Sequence, residues 1–522
     1  MRRVQRQRRP SGPACLVVAM VVLTSACGGA RQPVATGSRR TAERPDRTSP
    51  VPDTTPTTTP TTTPTTTPPP TSTSTPAPEL LSRSTSIGDP RFASLGSADI
   101  DVGHYDVELV YDHARRRLSG TVTVTLRIVN RTDQIALDAD GLVVTGVRVD
   151  GVPTDSRLED RELLIALADP LDVDTSVTVE VDYGADIDET RGFGPDAGVF
   201  ASADGVWSVN EPDGASTWMP VNDHPTDKAT WTFDVGVADG ETAVANGELV
   251  GSESSGGVTT WVWEQDEPMA SYLVVLLIGE YDLIARRADP GGPELHHAAI
   301  AGSENAVAGY DAVTVDQLAF FQRLFGPYPF DRYGIAITDS TPGLAMETQG
   351  LSLFSRDDLD GSLGYLQHLL LAHELVHQWF GDAVSPGSWD DVWLNEGFAT
   401  YGQWLWLDEI GLQPIDDVAE QTLSALPNSG GPVAAPDELF GRISYDGGAV
   451  ALHALRLTVG DDAFFEGLRT WVADHLDDSA TTADFQIVME AVAGTDLTDF
   501  FDQWVENEQR PSTLPTDRVV SA

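Results

Sequence analysis

The chain has almost no cysteine, and both of its cysteines, Cys15 and Cys27, lie within the first 27 residues. The remainder of the chain offers no thiol from which a disulfide could form, so a disulfide-stapled fold is excluded. A zinc site built on thiolates is excluded for the same reason. Any metal bound by this protein must therefore be held by histidine and carboxylate side chains.

Positive charge is also scarce, and Lys228 is the single lysine. The 522 residues carry 32 basic and 80 acidic side chains, and from Thr48 onward 22 basic residues face 78 acidic ones. A body this acidic repels phosphate backbones, so nucleic-acid binding is excluded. The apolar share of 41% and the charged share of 21% are those of a globular protein. The length predicts about three to four domain-sized units.

The first 27 residues have the pattern of a secretory signal peptide. Five arginines precede the apolar run CLVVAMVVLTSA, which is shorter than the ~20 residues that a transmembrane helix needs. The segment LTSAC resembles the box of bacterial lipoproteins, in which the cysteine, here Cys27, carries the lipid. Thr24 stands where that box usually has leucine, so ordinary secretion with cleavage nearby is the alternative. We expect an exported cell-surface lipoprotein of a bacterium, with membrane contact only through its lipid.

Residues 28–95 form a Pro/Thr/Ser-rich linker, with TTPTTTPTTTPTTTPPPTSTSTP near their centre. Such a tract lacks the apolar side chains needed to offset its ordering entropy, so the sequence predicts disorder. Repeated proline favours extended polyproline II conformations. The tract is then either a stalk that holds a folded head away from a surface or a plain spacer.

The remaining body divides into two predicted domains. Residues 96–284 alternate apolar and polar side chains, as in GTVTVTLRIVN, and predict an antiparallel β domain. Residues 285–515 change to helical periodicity with at least one strand, RYGIAITDS, and predict a mostly helical α+β domain. Residues 516–522 form a tail. The predicted fold class is α+β, with the β domain first, and no internal repeat is visible.

One helical candidate carries the pattern His373-Glu374-Leu375-Val376-His377. Side chains four residues apart project from nearly the same face of a helix, so both imidazoles can reach one ion. A catalytic zinc needs three protein ligands and an open position for water. Glu396, in the segment WLNEGFATY on the next helical candidate, can supply the third ligand.

Glu374 lies beside the face that carries the two histidines. From there it can accept a proton from water at the metal without binding the metal itself. His368 lies about 140° around the helix from His373, so it is not a predicted ligand. His224 and the run WLWLDE are interpreted as structural.

The two motifs HELVHQWFGD and WLNEGFA resemble those of the gluzincin family that includes aminopeptidase N. That family pairs a β-rich N-terminal domain with a thermolysin-like catalytic domain, and the resemblance covers most of residues 96–510. It implies one zinc ion held by His373, His377 and Glu396, with Glu374 as the general base. The chain ends at Ala522, shortly after DLTDFFDQWVENEQRP, so we expect a short form of the family without the helical C-terminal domain that caps the cleft in many members. A more open cleft is the expectation, and a cap supplied by a partner subunit is the alternative.

Three further segments match the family. PGLAMETQG resembles its exopeptidase motif, in which Glu347 binds the substrate's free amino group and the backbone of Ala345 and Met346 pairs with the peptide. Leu344 and Thr348 depart from that motif. Glu211, in SVNEPDGASTWMP, resembles the second amine-binding position, and Tyr445, in ISYDGGAVALHAL, the tyrosine that binds the tetrahedral intermediate.

The function implied is a zinc-dependent aminopeptidase acting on peptides with a free N-terminus. A metal-activated water attacks the first peptide carbonyl, Glu374 transfers the proton, and Glu211 with Glu347 fixes the substrate's ammonium group at a set distance. Two alternatives stay open: a surface-anchored peptide-binding protein without turnover, and a hydrolase of a non-peptide substrate.

Overall fold

The computed structural model describes residues 81–187, 197–201, 205–287, 292–338, 345–359 and 364–516. The predicted signal peptide, Cys27 and most of the predicted linker lie outside the described residues. Within the described ranges, no helix is both long and apolar enough to span a membrane.

The described residues of the N-terminal part form fifteen strands. In chain order they are β1 (Ile100–Asp112), β2 (Arg117–Ile128), β3 (Thr132–Asp138), β4 (Val143–Val149), β5 (Val152–Pro153), β6 (Ser156–Glu159), β7 (Glu162–Leu171), β8 (Ser176–Asp186), β9 (Gly198–Ala201), β10 (Gly205–Val209), β11 (Ala229–Ala238), β12 (Thr242–Ala245), β13 (Glu248–Ser255), β14 (Val258–Met269) and β15 (Leu276–Gly279).

These strands form three sheets, with orders β13-β14-β11-β1-β2-β8-β4-β5, β12-β15-β10-β9 and β3-β7-β6. Period-two alternation explains the largest sheet: along β1 and β2 the buried side chains are mainly every second residue, and they pack into the first hydrophobic core. Pairing is antiparallel except between β1 and β11, which run parallel. The predicted β domain is therefore confirmed, with one parallel pair that side-chain alternation does not specify.

The second part contains a further sheet, formed by β16 (Tyr281–Arg287), β17 (Glu294–Ile300), β18 (Arg332–Tyr333), β19 (Ile335–Thr338), β20 (Ala345–Met346) and β21 (Ser352–Ser355). Their order is β16-β17-β19-β21-β20, with β18 beside β17. The predicted boundary at residue 284 falls inside β16, which pairs along its whole length with β17. The β16 sequence continues the strand pattern of the first part, so periodicity does not reveal that it changes sheet.

Eight helices and two short strands complete the described residues of the second part. They are α1 (Glu304–Phe325), α2 (Tyr365–His377), β22 (Val384–Pro386), α3 (Trp393–Glu409), α4 (Ile415–Ala425), α5 (Gly448–Val459), α6 (Asp461–Asp474), β23 (Asp478–Ala480), α7 (Thr482–Ala493) and α8 (Thr498–Phe501). Their apolar faces form a second hydrophobic core with β17, β19 and β21. The predicted α+β class is confirmed.

Helices α2 and α3 are packed closely, and this packing positions the candidate site. Gly402 of α3 lies against α2, where a Cβ atom at this position would stand 2.5 Å from Val376 Cγ2. The close approach requires glycine at this crossing, because any larger side chain would force the helices apart. Leu375 and Val376 are fully buried beneath the same contact.

The predicted linker extends too far toward the folded body. The backbone of Ser82 bridges to Thr132, and Asp89 is buried, where one of its oxygens accepts hydrogen bonds from Ser388 Oγ and Trp389 N. Arg91 forms an ion pair with Asp390. These partners lie up to 300 residues away in the chain, so local composition could not indicate that residues 82–95 pack against both parts.

Candidate metal centre

Helix α2 places two histidines side by side. The ring centroids of His373 and His377 lie 4.7 Å apart with the ring planes at 81°. His377 is fully buried, whereas the side chain of His373 is 12% exposed, so His373 is the histidine nearer to solvent. The i,i+4 spacing produces the shared face that the sequence predicts.

Helix α3 brings Glu396 to both histidines. Glu396 Oε2 lies 3.1 Å from His373 Nε2 and 3.5 Å from His377 Nε2. One ligand atom from each of the three residues lies within 4.8 Å of the others. Burial raises the pKa of Glu396, but the contacts with His373 and His377 outweigh it and lower that pKa to about 2. Glu396 therefore carries a full negative charge at the centre of the group.

Glu374 lies on the adjacent face of α2, also buried. A second set of mutually close ligand atoms joins Glu374 to Glu347 and His377. Burial raises the pKa of Glu374, and the charge of Glu347 raises it further while His377 lowers it. One oxygen of each glutamate, Glu374 Oε2 and Glu347 Oε1, has no hydrogen-bond partner among the described residues. Burial penalises the negative charge of both acids, so a cation bound beside them would favour their ionised forms.

Glu347 follows an edge strand. Ala345 and Met346 form β20, which pairs antiparallel with β21 at Phe354 and Leu353 and ends the sheet order among the described strands. Gln378, the residue after His377, donates from Nε2 to the backbone oxygen of Glu347 at 3.1 Å. The helix that carries the histidines thus holds the edge strand beside them, while Leu344 lies outside the described residues.

Tyr445 lies in a π-helical turn, Ile443–Gly447, that leads into α5. Its ring stacks on His373, with centroids 5.9 Å apart and planes at 6°. Burial raises the pKa of Tyr445, and the charges of Glu396, Glu211 and Glu347 raise it further. The phenol therefore stays protonated and able to donate a hydrogen bond over the whole neutral range.

Glu211 comes from the N-terminal domain and reaches the same site. It follows β10, and the Glu211–Pro212 peptide bond is cis. Its charge raises the pKa values of both Tyr445 and Tyr272, as does that of Glu347. The structure therefore brings together the predicted residues His373, His377, Glu396, Glu374, Glu347, Glu211 and Tyr445.

The donor set fits a catalytic zinc ion. Two imidazole nitrogens and one carboxylate oxygen are the ligand types of the two-histidine, one-glutamate class of zinc sites. His373 Nδ1 is buried without a hydrogen-bond partner among the described residues, which leaves the opposite nitrogen, Nε2, beside Glu396. His377 Nδ1 lies 3.2 Å from the backbone oxygen of Phe380, so its Nε2 atom also faces the carboxylate.

Two histidines, His368 and His224, lie outside both groups of mutually close ligand atoms among the described residues. His368 Nδ1 accepts a hydrogen bond from Trp406 Nε1, and His224 lies against Thr226 and Asp89. Sequence reasoning missed Gln378, which donates to the backbone of Glu347, and Asn395, whose Nδ2 donates to Tyr272 Oη at 3.3 Å. Both are polar residues within the two recognised motifs, and that position was the available signal.

The chain was compared with known protein families, sequences and solved structures. Residues 102–273 match the peptidase M1 N-terminal domain and residues 311–504 match the peptidase family M1 domain. An M1 zinc metallopeptidase from Deinococcus radiodurans is 31% identical, with a TM-score of 0.75 over 83% of this chain and 100% of that one. A related structure of that peptidase, 30% identical, is described as bound to a Tyr-Ser-Ala substrate.

Longer relatives are found among plant aminopeptidases. Aminopeptidase M1-D of Oryza sativa subsp. japonica is 27% identical over 81% of this chain and 51% of its own length. Aminopeptidase M1 of Arabidopsis thaliana is 27% identical over 78% of this chain and 50% of its own. The chain thus spans about half the length of these aminopeptidases. With both family models matched and the Deinococcus chain covered completely, this chain belongs to peptidase family M1, a family of zinc metallopeptidases.

Proposed function

We propose that the protein is a zinc-dependent aminopeptidase that removes the N-terminal residue from peptides. The observation that supports this most directly is the convergence of His373, His377 and Glu396 with the acids Glu374 and Glu347 in one group of buried side chains. His373, His377 and Glu396 would hold the ion. When bound there, zinc polarises water and lowers the pKa of that water toward neutrality.

In this proposal Glu374 moves the proton. Its carboxylate lies next to the ligand face of α2, within 4.8 Å of a ligand atom of His377. It accepts a proton from the attacking water and delivers it to the nitrogen of the leaving amine, so that the same group acts first as base and then as acid. The buried position keeps bulk water from competing for that proton.

Tyr445 stabilises the oxygen that becomes negative during attack. The phenol lies over the His373 ring, and the surrounding carboxylates keep it protonated. A hydrogen bond that strengthens as charge develops lowers the barrier rather than merely binding the substrate. We therefore assign Tyr445 the role of stabilising the transition state.

Glu347 and Glu211 select for a free N-terminus. Both acids lie at the site, one on each structural part of the protein, and both act on Tyr445 electrostatically. A protonated α-amine placed between them is held at a fixed distance from Glu374, with the backbone of Ala345 and Met346 available at the sheet edge. A peptide without a free amine offers these two acids no positive charge, which disfavours its binding.

Export is part of the proposal and rests on the sequence alone. The arginine-rich start, the short apolar run and the LTSAC segment support a lipid anchor at Cys27, and the Pro/Thr-rich tract supports a spacer between that anchor and the peptidase. Labelling of the full chain with a fatty-acid analogue in a bacterial host, compared with Cys27→Ala, tests the anchor. Equal labelling of both chains would contradict it.

The test of function is hydrolysis of fluorogenic aminoacyl amides by the purified full chain. We expect turnover by the wild type, its loss on chelation and its return on addition of zinc. Glu374→Gln is expected to reduce turnover by ~10²–10⁴-fold. The matched control is Glu420→Gln, which changes an exposed carboxylate on α4.

Three outcomes would contradict the proposal or part of it. Equal turnover by the wild type, the Glu374→Gln variant and the chelated sample would exclude this site as the source of activity. Tight binding of intact peptides without any cleavage would favour the peptide-binding alternative. If N-acetylated aminoacyl amides were cleaved as fast as those with a free amino group, the protein would be a peptidase without the selectivity of an aminopeptidase.

A further inference from the structure

The single lysine of the chain connects the β domain to the turn that follows the metal-site helix. Lys228 directly precedes β11, and its Nζ donates to the backbone oxygens of Asp382 at 2.6 Å and Ala383 at 3.0 Å. Burial lowers the pKa of Lys228 to about 8, while the charges of nearby aspartates oppose this shift. A partly buried ammonium group whose hydrogen bonds go to two carbonyl groups of another domain has given up hydration for that contact.

That turn, residues 380–383, encloses the ring of His377. The backbone oxygen of Phe380 lies 3.2 Å from His377 Nδ1, and the backbone nitrogen of Asp382 donates to the backbone oxygen of His377. Gly381 has φ of +127°, and a Cβ atom there would stand 3.3 Å from His377 Nδ1. The position of the turn therefore determines the hydrogen bond that orients the imidazole.

A second residue of the β domain contacts the same turn. Tyr272 Oη donates to the backbone oxygen of Gly381 at 3.0 Å, and Asn395 Nδ2 donates to Tyr272 Oη at 3.3 Å. Asn395 directly precedes Glu396 in α3. The β domain thus touches the backbone next to His377 and the residue next to Glu396.

We propose that Lys228 is a positioning residue for the metal centre. Lys228 fixes the orientation of His377 through the backbone of the turn at residues 380–383. A histidine that binds a metal depends on the acceptor of its other ring nitrogen, which here is the backbone oxygen of Phe380. The inference rests on the proposed function only in assuming that His377 is a zinc ligand.

The test compares the wild type, Lys228→Met and Lys228→Arg in the full chain. The primary measurement is zinc affinity by competition with a chromophoric chelator, which needs no substrate. Lys228→Met is expected to weaken zinc binding by about tenfold, the lower end of the effect of losing support for a metal ligand. Lys228→Arg keeps a cationic donor and is expected to retain most of the affinity. Arg115→Met, which removes an exposed positive charge from the β domain, is the matched control.

Two further readouts separate positioning from simple domain docking. The visible spectrum of the cobalt-substituted protein reports the geometry of the ligands, and we expect it to change in Lys228→Met and not in Arg115→Met. The unfolding midpoint of the metal-free protein reports docking alone. A lower metal-free midpoint with unchanged zinc affinity and an unchanged cobalt spectrum would overturn the proposal.

The remaining outcomes are also decisive. If Lys228→Met does not fold, Tyr272→Phe, which removes the companion contact to Gly381, is expected to weaken zinc binding in the same direction, and wild-type affinity in that variant would overturn the proposal. A wild type that binds one zinc tightly but cleaves no aminoacyl amide would end the proposed function and leave the effect on zinc affinity measurable. A wild type that binds no zinc would contradict both.

Discussion

Gly397 and Gly448 lie face to face where α3 passes α5, so close that a Cβ atom on either would stand 2.8 Å from the Cα atom of the other. Gly397 directly follows Glu396, and Gly448 begins α5 directly after the π-helical turn that carries Tyr445. The contact therefore sets the separation between the carboxylate of the metal centre and the phenol assigned to the transition state.

We expect Gly448→Ala to lower both stability and turnover. The added methyl group meets backbone rather than a flexible side chain, so the helices must separate, and such overpacking typically costs ~1–3 kcal/mol. Displacement of Tyr445 should reduce kcat more than it changes KM. Chemical denaturation and steady-state kinetics provide the two measurements.

Gly309→Ala is the matched control for that substitution. Gly309 is an exposed glycine within α1, and a Cβ atom there would meet nothing within 4 Å. Alanine favours a helix interior over glycine by ~0.5–1 kcal/mol, so this variant should be slightly more stable with unchanged turnover. A Gly448→Ala variant that behaves like the control would show that the two helices can separate without cost.

Tyr445→Phe is expected to reduce kcat by ~10²–10³-fold and to leave KM and zinc affinity close to those of the wild type. The substitution keeps the ring that stacks on His373 and removes only the hydroxyl group. The measurement is steady-state hydrolysis of an aminoacyl amide together with zinc content. A rise in KM at constant kcat would show instead that the hydroxyl group binds the ground state.

Glu347→Gln is expected to weaken selection for a free N-terminus. Glu347 is buried, and its Oε1 has no hydrogen-bond partner among the described residues, so loss of its charge removes a partner for the substrate ammonium. The measurement is the ratio of kcat/KM for a free aminoacyl amide to that for its N-acetylated form. The ratio should fall in Glu347→Gln and stay constant in the surface variant Glu420→Gln; the same ratio in all three proteins would argue against amine binding by Glu347.

The sequence was sufficient where the chemistry depends on neighbours along the chain. The pair His373 and His377 shares a helix face by spacing alone, and Glu374 follows from the same turn. Glu396 required a second helix to cross the first, and the motif around it was the only available signal. The α+β class followed from the change in hydrophobic periodicity, from alternation in the first domain to helical spacing in the second.

What the sequence could not indicate depends on contacts between distant segments. Lys228 is conspicuous as the only lysine, yet its partners lie 154 and 155 residues away. Asp89 was assigned to the predicted linker on local composition. In the structure its carboxylate accepts hydrogen bonds from Ser388 and Trp389 of the catalytic part. The contact of Gly397 with Gly448 likewise exists only once both helices are packed.

A buried acid cluster in the β domain predicts a pH dependence of stability that is independent of the metal centre. Asp138 and Glu162 are cross-strand neighbours on β3 and β7, and Asp138 accepts hydrogen bonds from the backbone of Gly96 and Asp223. Burial raises the pKa of Glu162 to about 9, and the neighbouring charge of Asp138 adds to it while Arg161 opposes it. Burial also raises the pKa of Asp138 to about 6 and that of Asp223 to about 7.

The sign of the effect follows from which state binds the proton more tightly. The folded chain keeps Glu162 protonated above its ordinary pKa of 4.5, at which the unfolded chain releases the proton. The stabilising contribution is therefore complete below about pH 4.5 and is lost as the pH rises toward 9. We expect the free energy of unfolding of the metal-free protein to decrease between pH 5 and pH 9, measured by chemical denaturation. Glu162→Gln, which cannot ionise, should show a smaller decrease than the wild type and than Glu420→Gln; parallel curves for all three proteins would show that Glu162 does not titrate in this range.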